Sequence, residues 1–187
     1  MSGPPAASGY PAGQRFVDPG AAAMLEGWGP PRKALFLDRD GVLNVDRNYV
    51  HTIAQTEWLP GIFDRVRQAH ADGFLPIVVT NQAGIARGFY DEATFLDYTR
   101  WVHGEFAARG APLLATFFCP HHPRHGRGAY LRECRCRKPA PGMILAAAAE
   151  FAIDLSASVL IGDKASDIEA AVAAGVGSSR LVGGADG

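Results

Sequence analysis

The sequence has few cysteines, little net charge and no long apolar run. Its 187 residues include three cysteines, and the formal net charge is -1 at pH 7. Three cysteines are an odd number for a disulfide framework. A charge near zero gives no global attraction to nucleic acid or to a membrane surface. No stretch approaches the roughly 18 apolar residues that a membrane span needs, so we expect no membrane partner.

The N-terminus lacks the features of a secretory signal. Residues 1–13 contain Gly, Pro, Ala and Ser but no Lys or Arg, whereas a signal peptide places basic residues before an apolar segment. We therefore expect a cytoplasmic protein. Residues 1–31 are rich in Pro and Gly and have little periodicity, which predicts a flexible leader with a docked piece around Met24, Leu25 and Trp28.

The remaining residues, 32–187, are enough for one domain with a full core. Short apolar segments predict strands at 34–37, 75–80, 113–118, 158–161 and 180–182. Apolar residues at helical spacing, with the turn signals around them, predict helices at 61–73, 91–108, 143–151 and 166–174. Strands that alternate with helices in this way predict an α/β fold with a doubly wound, Rossmann-like parallel sheet.

Two acidic residues follow the first predicted strand. Asp38 and Asp40 come directly after the apolar run 34–37, and side chains two apart on an extended chain point the same way. Ligands of open α/β sheets bind beyond the carboxyl ends of the strands. Two converging carboxylates repel each other unless a cation or a shared proton is present. The alternative is an Asp-Gly turn that leaves both acids in solvent.

Other predicted strands also end in polar residues. The second strand ends at Thr80 and is followed by Asn81 and Gln82, and Asp163 and Lys164 follow the fourth strand. Parallel strands bring these ends to one edge of the sheet. Three carboxylates there would suit Mg²⁺, whereas a hydroxyl and backbone N–H groups would suit phosphoryl oxygens. Taken singly, these residues are also compatible with ordinary turns and helix caps.

The three cysteines lie close together in the sequence. Cys119, Cys134 and Cys136 flank a segment that also contains three histidines, His121, His122 and His125. Three thiolates and one imidazole can close a tetrahedral structural zinc site, whereas free thiols are the alternative. Such a zinc would fasten residues 119–136, and the residues after Cys136 would then be presented to a ligand.

Four segments of the sequence together resemble the motifs of the haloacid dehalogenase superfamily phosphatases. They are Phe36-Leu37-Asp38-Arg39-Asp40-Gly41, Val78-Val79-Thr80-Asn81-Gln82, Arg137-Lys138-Pro139, and Gly162-Asp163-Lys164 with Asp167. The resemblance covers residues 34–182. Gly84-Ile85-Ala86-Arg87-Gly88 and Cys119-Pro120-His121-His122-Pro123 resemble the branch of heptose bisphosphate phosphatases. The resemblance implies a phosphatase without a large cap domain.

The resemblance also implies roles for individual residues. It implies that Asp38 is the nucleophile, that Asp40 is the general acid and base, and that Thr80 and Lys138 stabilise the phosphoryl group. The Mg²⁺ ligands it implies are Asp38, Asp163 and the backbone carbonyl of Asp40, and it favours His121 as the zinc-binding histidine. The substrate-binding residues expected from the motifs and the flap after Asp40 are Asp46, Arg47, Asn48, Tyr49, Asn81, Gln82, Arg137 and Lys164.

The expected reaction is therefore Mg²⁺-dependent removal of the 7-phosphate from D-glycero-D-manno-heptose 1,7-bisphosphate, through an aspartyl-phosphate. Histidinol phosphate is the alternative substrate for the same chemistry. A different hypothesis is a zinc-stabilised domain that binds nucleic acid through the basic residues between Arg124 and Lys138. That hypothesis leaves the carboxylates at the strand ends unexplained. We expect a monomer, because the chain has no large cap insertion.

Overall fold

One central sheet organises the residues that the computed structural model describes, which are 9–183. Within that range the sheet has six strands in the order β1-β4-β3-β2-β5-β6. They are β1 (Arg15–Val17), β2 (Lys33–Leu37), β3 (Phe74–Asn81), β4 (Ala115–Cys119), β5 (Val159–Gly162) and β6 (Ser178–Leu181). Strands β2 to β6 run parallel to one another, and β1 pairs antiparallel with β4.

Helices cover both faces of the sheet. They are α1 (Ala21–Leu25), α2 (Ile62–Ala71), α3 (Ala83–Arg87), α4 (Glu92–Ala108), α5 (Gly142–Phe151) and α6 (Ala165–Ala174). Side chains of α2 and α4 pack with Leu35 and Leu37, whereas those of α1, α5 and α6 pack with Ala34 and Phe36. Because both faces of β2 are buried, the strand has a continuous apolar sequence. The doubly wound α/β prediction is confirmed.

The main difference from the sequence prediction lies before residue 32. The sequence indicated a flexible leader, but Arg15–Val17 forms an edge strand and Ala21–Leu25 a short helix. The side chains of Met24, Leu25 and Trp28 pack against the core. Therefore the sheet is mixed, whereas the prediction was a purely parallel sheet. Residues 1–8 of the predicted leader lie outside the described residues, and the domain boundary at residue 32 stays a prediction.

A second difference is the five-residue helix α3, which the sequence prediction missed. It begins just after Gln82 and ends before Gly88, whose φ is +76°. For the other predicted helices and strands, the first and last residues lie within two positions of those in the structure. None of the helices within residues 9–183 has the length and apolar character needed to span a membrane.

Candidate active site

The carboxyl ends of β2, β3 and β5 meet at one edge of the sheet. Leu37, the last residue of β2, is in register with Val78 of β3 on one side and with Ile161 of β5 on the other. The polar residues that follow these strands therefore become neighbours, as expected for parallel strands. Asp38 and Thr80 are both buried there.

Asp38 lies at the centre of this edge. Its Oδ1 atom accepts a hydrogen bond from the backbone N–H of Arg39 at 2.8 Å and lies 3.0 Å from Lys138 Nζ. Burial raises the pKa of Asp38 to about 7, although the Lys138 ammonium opposes that shift. A buried carboxylate needs such compensating donors if it is to be ionised.

Lys138 is held by three oxygen atoms. Its Nζ atom lies 2.7 Å from Asp167 Oδ1, 3.0 Å from Asp38 Oδ1 and 2.7 Å from the carbonyl oxygen of Val79. Burial alone would lower the pKa of Lys138, but the Asp38 and Asp167 carboxylates outweigh burial and raise it. The ammonium is thus fixed as a cation beside the carboxylate of Asp38.

Asn81 positions the backbone of Lys138. Its Oδ1 atom accepts from Lys138 N–H at 3.0 Å, and its Nδ2 atom donates to the Lys138 carbonyl at 3.1 Å. Both ends of the amide are therefore engaged with the chain itself. The sequence prediction placed Asn81 in substrate binding, but these contacts indicate that it joins the end of β3 to the segment that carries Lys138.

Asp40 is oriented by three donors. Arg39 Nη2 lies 2.8 Å from Asp40 Oδ2, and Asn44 Nδ2 donates to Oδ1 at 3.0 Å. The amide of Gln82 approaches Oδ2 at 3.5 Å. Asp40 also lines a cavity at this edge of the sheet. Its carboxylate is therefore held in one orientation at the wall of that cavity.

Three carboxylates converge at this edge of the sheet. Oxygen atoms of Asp38, Asp163 and Asp167 lie within 4.8 Å of one another. Asp163 Oδ1 is buried and has no hydrogen-bond partner among residues 9–183. Gly41 permits this arrangement, because a Cβ there would lie 2.2 Å from Asp163 Oδ2. Buried carboxylate oxygens with spare lone pairs fit a hard divalent cation such as Mg²⁺.

Asp167 was not among the predicted site residues, although it belongs to the fourth of the family motifs in the sequence. Its Oδ2 atom accepts from the backbone N–H groups of Asp163 and Lys164, both at 3.0 Å. It thereby caps the start of α6, and its other oxygen holds Lys138. The sequence signal was an acidic residue at the third position of a helix, which is the pattern of a capping box.

A cavity of about 220 Å³ lies beside Asp40. Seven predicted site residues line it: Asp40, Asp46, Asn48, Tyr49, Asn81, Gln82 and Arg137. Arg87, Tyr90 and His122 also line it and were not among the predicted site residues. Arg87 and His122 belong to the two segments that resemble the heptose branch, but the sequence did not show that these segments meet at one cavity. Two arginines and a histidine make this wall suitable for an anionic ligand.

Two predicted substrate-binding residues lie outside the lining of this cavity. Arg47 is exposed and pairs with Glu57. Lys164 is also exposed, and its Nζ atom lies 3.3 Å from Asp46 Oδ2 and 3.9 Å from Asp163 Oδ2. Contacts between these two residues and a substrate stay a prediction.

The three cysteines converge with His121. Sγ atoms of Cys119, Cys134 and Cys136 lie 3.0–3.5 Å apart. His121 Nδ1 lies 3.4 Å from Cys136 Sγ and 3.7 Å from Cys119 Sγ. A tetrahedral zinc with Zn–S distances of about 2.3 Å separates its sulfur ligands by about 3.8 Å, so the cluster needs only a slight expansion. The donor set therefore fits zinc.

Four basic residues of the cysteine loop, Arg124, Arg127, Arg132 and Arg135, are exposed, but Arg137 and Lys138 do not share that surface. Lys138 is buried between two carboxylates. Arg137 lines the cavity, and Arg132 Nη2 lies 2.9 Å from His121 Nε2. A nucleic-acid site would need these side chains free to contact phosphates along one face. The structure therefore does not favour the nucleic-acid hypothesis.

Comparisons with known proteins agree with this geometry. Residues 135–183 match a family model described as HAD-hydrolase-like. The D-glycero-α-D-manno-heptose-1,7-bisphosphate 7-phosphatase of Burkholderia mallei is 55% identical over 150 residues, 80% of this chain and 79% of the relative. The corresponding β-heptose enzyme of Vibrio cholerae is 47% identical over 151 residues, 81% of each chain. The crystal structure of D,D-heptose 1,7-bisphosphate phosphatase from B. bronchiseptica, complexed with magnesium and phosphate, matches with a TM-score of 0.69 and 35% identity over 78% of each chain.

Proposed function

The chain belongs to the haloacid dehalogenase-like phosphatases, and we propose that it removes the 7-phosphate of D-glycero-D-manno-heptose 1,7-bisphosphate. The observation that carries this proposal is the convergence of Asp38, Asp40 and Lys138 beside a cavity with two arginines. Similarity at 55% and 47% identity to enzymes named for this reaction supports the substrate. The proposed role is a step in the synthesis of nucleotide-activated heptoses.

In the first half of the reaction, the Asp38 carboxylate attacks phosphorus in line with the bond to the sugar oxygen. The Asp38–phosphorus bond forms as the phosphorus–sugar bond breaks, which gives an aspartyl-phosphate. Oδ1 carries the contacts to Arg39 N–H and Lys138, so we assign the attack to Oδ2. The ammonium of Lys138 favours the ionised nucleophile and offsets phosphoryl charge.

Asp40 moves the protons. It gives a proton to the leaving sugar oxygen in the first half of the reaction and takes one from the attacking water in the second. That water attacks phosphorus, and Asp38 leaves as a carboxylate. The donors Arg39, Asn44 and Gln82 keep the Asp40 carboxyl at the cavity wall for both steps.

Mg²⁺ would be held by Asp38, by Asp163 and by the backbone carbonyl of Asp40. When bound, it reduces repulsion between the nucleophile and the phosphate and stabilises equatorial charge. Thr80 is buried at the end of β3 and can donate its hydroxyl to a phosphoryl oxygen. Arg87, Arg137 and His122 line the part of the wall that we assign to the rest of the anionic substrate.

Zinc would be held by Cys119, His121, Cys134 and Cys136 and would have a structural role, because four protein ligands leave no open position. His121 would bind through Nδ1, the ring nitrogen that faces the cysteines, and would then carry its proton on Nε2. Arg132 Nη2, which lies 2.9 Å from Nε2, would then turn away, since two donors cannot face each other. Location in the cytoplasm and a monomeric state stay predictions.

The test is Mg²⁺-dependent phosphate release from the α and β anomers of the heptose bisphosphate and from histidinol phosphate. We expect one of the two heptose anomers to have the highest kcat/KM of the three substrates. Histidinol phosphate should be slow, because it has no second phosphate for the two arginines. Comparable rates on all three substrates would contradict the substrate assignment. Asp38→Asn serves as the control for contaminating phosphatases.

A further inference from the structure

Gln82 contacts two of the residues that we assign to catalysis. It follows β3 and is buried. Its Nε2 atom donates to Thr80 Oγ1 at 2.8 Å and approaches Asp40 Oδ2 at 3.5 Å. An amide nitrogen carries two hydrogens, so one side chain can serve both acceptors at once. The orientation of this amide therefore affects both Thr80 and Asp40.

Tyr90 determines which end of that amide faces the site. Its hydroxyl donates to Gln82 Oε1 at 2.6 Å. If the amide were flipped, its carbonyl oxygen would face the Asp40 carboxylate, and two acceptors would be opposed. A hydroxyl that donates to Oε1 keeps the NH₂ group directed toward Thr80 and Asp40. Burial raises the pKa of Tyr90, so the hydroxyl keeps the proton that it donates.

Neighbouring residues hold the Tyr90 ring in this position. The ring of His51 stacks on it with 4.3 Å between centroids. A Cβ on Gly84 would lie 2.3 Å from the Tyr90 ring, so only glycine leaves room for it. The side chain is 8% exposed. Tyr90 is therefore a fixed donor, and its hydroxyl is directed at Gln82.

We propose that Tyr90 is a positioning residue that acts through Gln82 on Thr80 and Asp40. This inference rests on the proposed phosphatase function. Because the hydroxyl acts on groups that serve the transferred phosphoryl group, its loss should lower kcat and leave KM nearly unchanged. A direct contact with the sugar would instead change KM. A merely structural role would lower thermal stability and leave the kcat of the folded enzyme unchanged.

The test begins with Tyr90→Phe, which removes the hydroxyl and keeps the ring. One lost neutral hydrogen bond predicts a fall in kcat of about fivefold to tenfold, with KM within about twofold of wild type. Tyr98→Phe is the matched control. Tyr98 is also a buried tyrosine, but its hydroxyl is hydrogen-bonded to Thr56 Oγ1 at 2.7 Å and not to the Gln82 amide. This control should keep the wild-type kcat.

A double-mutant cycle then tests the path through Gln82. Gln82→Ala should lower kcat by about 100-fold, because Thr80 and Asp40 both lose the amide. In the Gln82→Ala background, Tyr90→Phe should have no further effect, since its partner is gone. Additive effects would overturn the proposal, because they would show that Tyr90 acts by another route.

Rates on the heptose bisphosphate and on p-nitrophenyl phosphate separate this inference from the proposed function. Wild type that hydrolyses only the aryl ester would overturn the substrate assignment, and the Tyr90→Phe effect on kcat would still be measured on that ester. Wild type that hydrolyses both esters, together with an unchanged kcat for Tyr90→Phe, would overturn the inference alone. Wild type without any phosphatase activity would overturn both.

Discussion

The strand-end site and the cysteine loop are held in place by different means. Asp38 follows one of the hydrogen-bonded parallel strands and Thr80 lies at the end of another, and buried donors fix the side chains around them. In residues 120–141, all of which the structure describes, one three-residue 3-10 helix, Gly128–Tyr130, is the only helix. The loop is held instead by turns, such as the backbone hydrogen bonds that join His122 to Tyr130 and Arg132, and by the converging side chains of the cysteine cluster.

The difference shows what each region needs in order to function. The strand-end site is preorganised by the sheet, so it forms as soon as the domain folds. The loop needs four converging side chains, which a metal would lock together. Asn81 joins the two regions, because its amide contacts the backbone of Lys138, two residues after Cys136. We therefore expect that a substitution that disorders the loop also displaces Lys138.

Of the substitutions that test this difference between the strand-end site and the cysteine loop, we expect His121→Ala to have the largest effect. Loss of one of four ligands should release zinc and disorder the loop that precedes Lys138. We expect turnover to fall by about 10–100-fold, with zinc content measured by elemental analysis. His125→Ala is the control, since His125 is another histidine of the loop but lies outside the cluster. Retention of zinc in His121→Ala would contradict the ligand assignment.

A smaller effect is expected for Asn81→Ala, which breaks the connection between the regions. Two hydrogen bonds to the Lys138 backbone are lost, so kcat should fall about tenfold while zinc content stays at the wild-type level. Steady-state kinetics decide between two roles for this residue. A raised KM with unchanged kcat would instead mean that Asn81 binds substrate directly, as its sequence motif suggested.

The smallest effect concerns the N-terminal segment, which neither region includes. Burial would raise the pKa of Asp18, but hydrogen bonds from His103 and the Gly20 N–H outweigh it and lower that pKa. The unfolded state then binds more protons, so this contact stabilises the protein above pH about 4 and the stabilisation is lost as the pH falls further.

Denaturant unfolding of Asp18→Asn checks this contact. The variant should lose on the order of 0.5–1 kcal/mol of unfolding free energy at pH 7 and much less near pH 3. An equal loss at both pH values would show that the charge of Asp18 does not contribute. The substitution leaves in place the other contact of the buried His103, whose Nε2 atom lies 2.9 Å from Thr116 Oγ1.

The sequence predicted the parts of the fold that carry periodic signals. β2 and β3 are continuous apolar runs, and α4 repeats its apolar residues at helical spacing, so each was recognised. β1 was missed because three residues, Arg15–Val17, give no period. Its place depends on pairing with β4, about a hundred residues later in the chain. Such long-range pairing leaves no local trace in a single sequence.

For the candidate site as well, the sequence predicted only some of the residues. Motifs at strand ends placed Asp38, Thr80 and Asp163 at one edge, because parallel strands require it. Sequence motifs could not show where long side chains point. Arg47 pairs with Glu57, whereas Arg87 of α3 lines the cavity. Those outcomes depend on the paths of loops, which composition and spacing do not determine.

The central claim is that Asp38 forms the covalent bond to phosphorus. Its most direct test is rapid acid quench during turnover, followed by borohydride reduction and peptide mass spectrometry. We predict that reduction of an aspartyl-phosphate converts residue 38 to homoserine, and that Asp38→Asn loses at least about 10³-fold in turnover while zinc content is retained. Reduction at another carboxylate, or substantial turnover by Asp38→Asn, would contradict it.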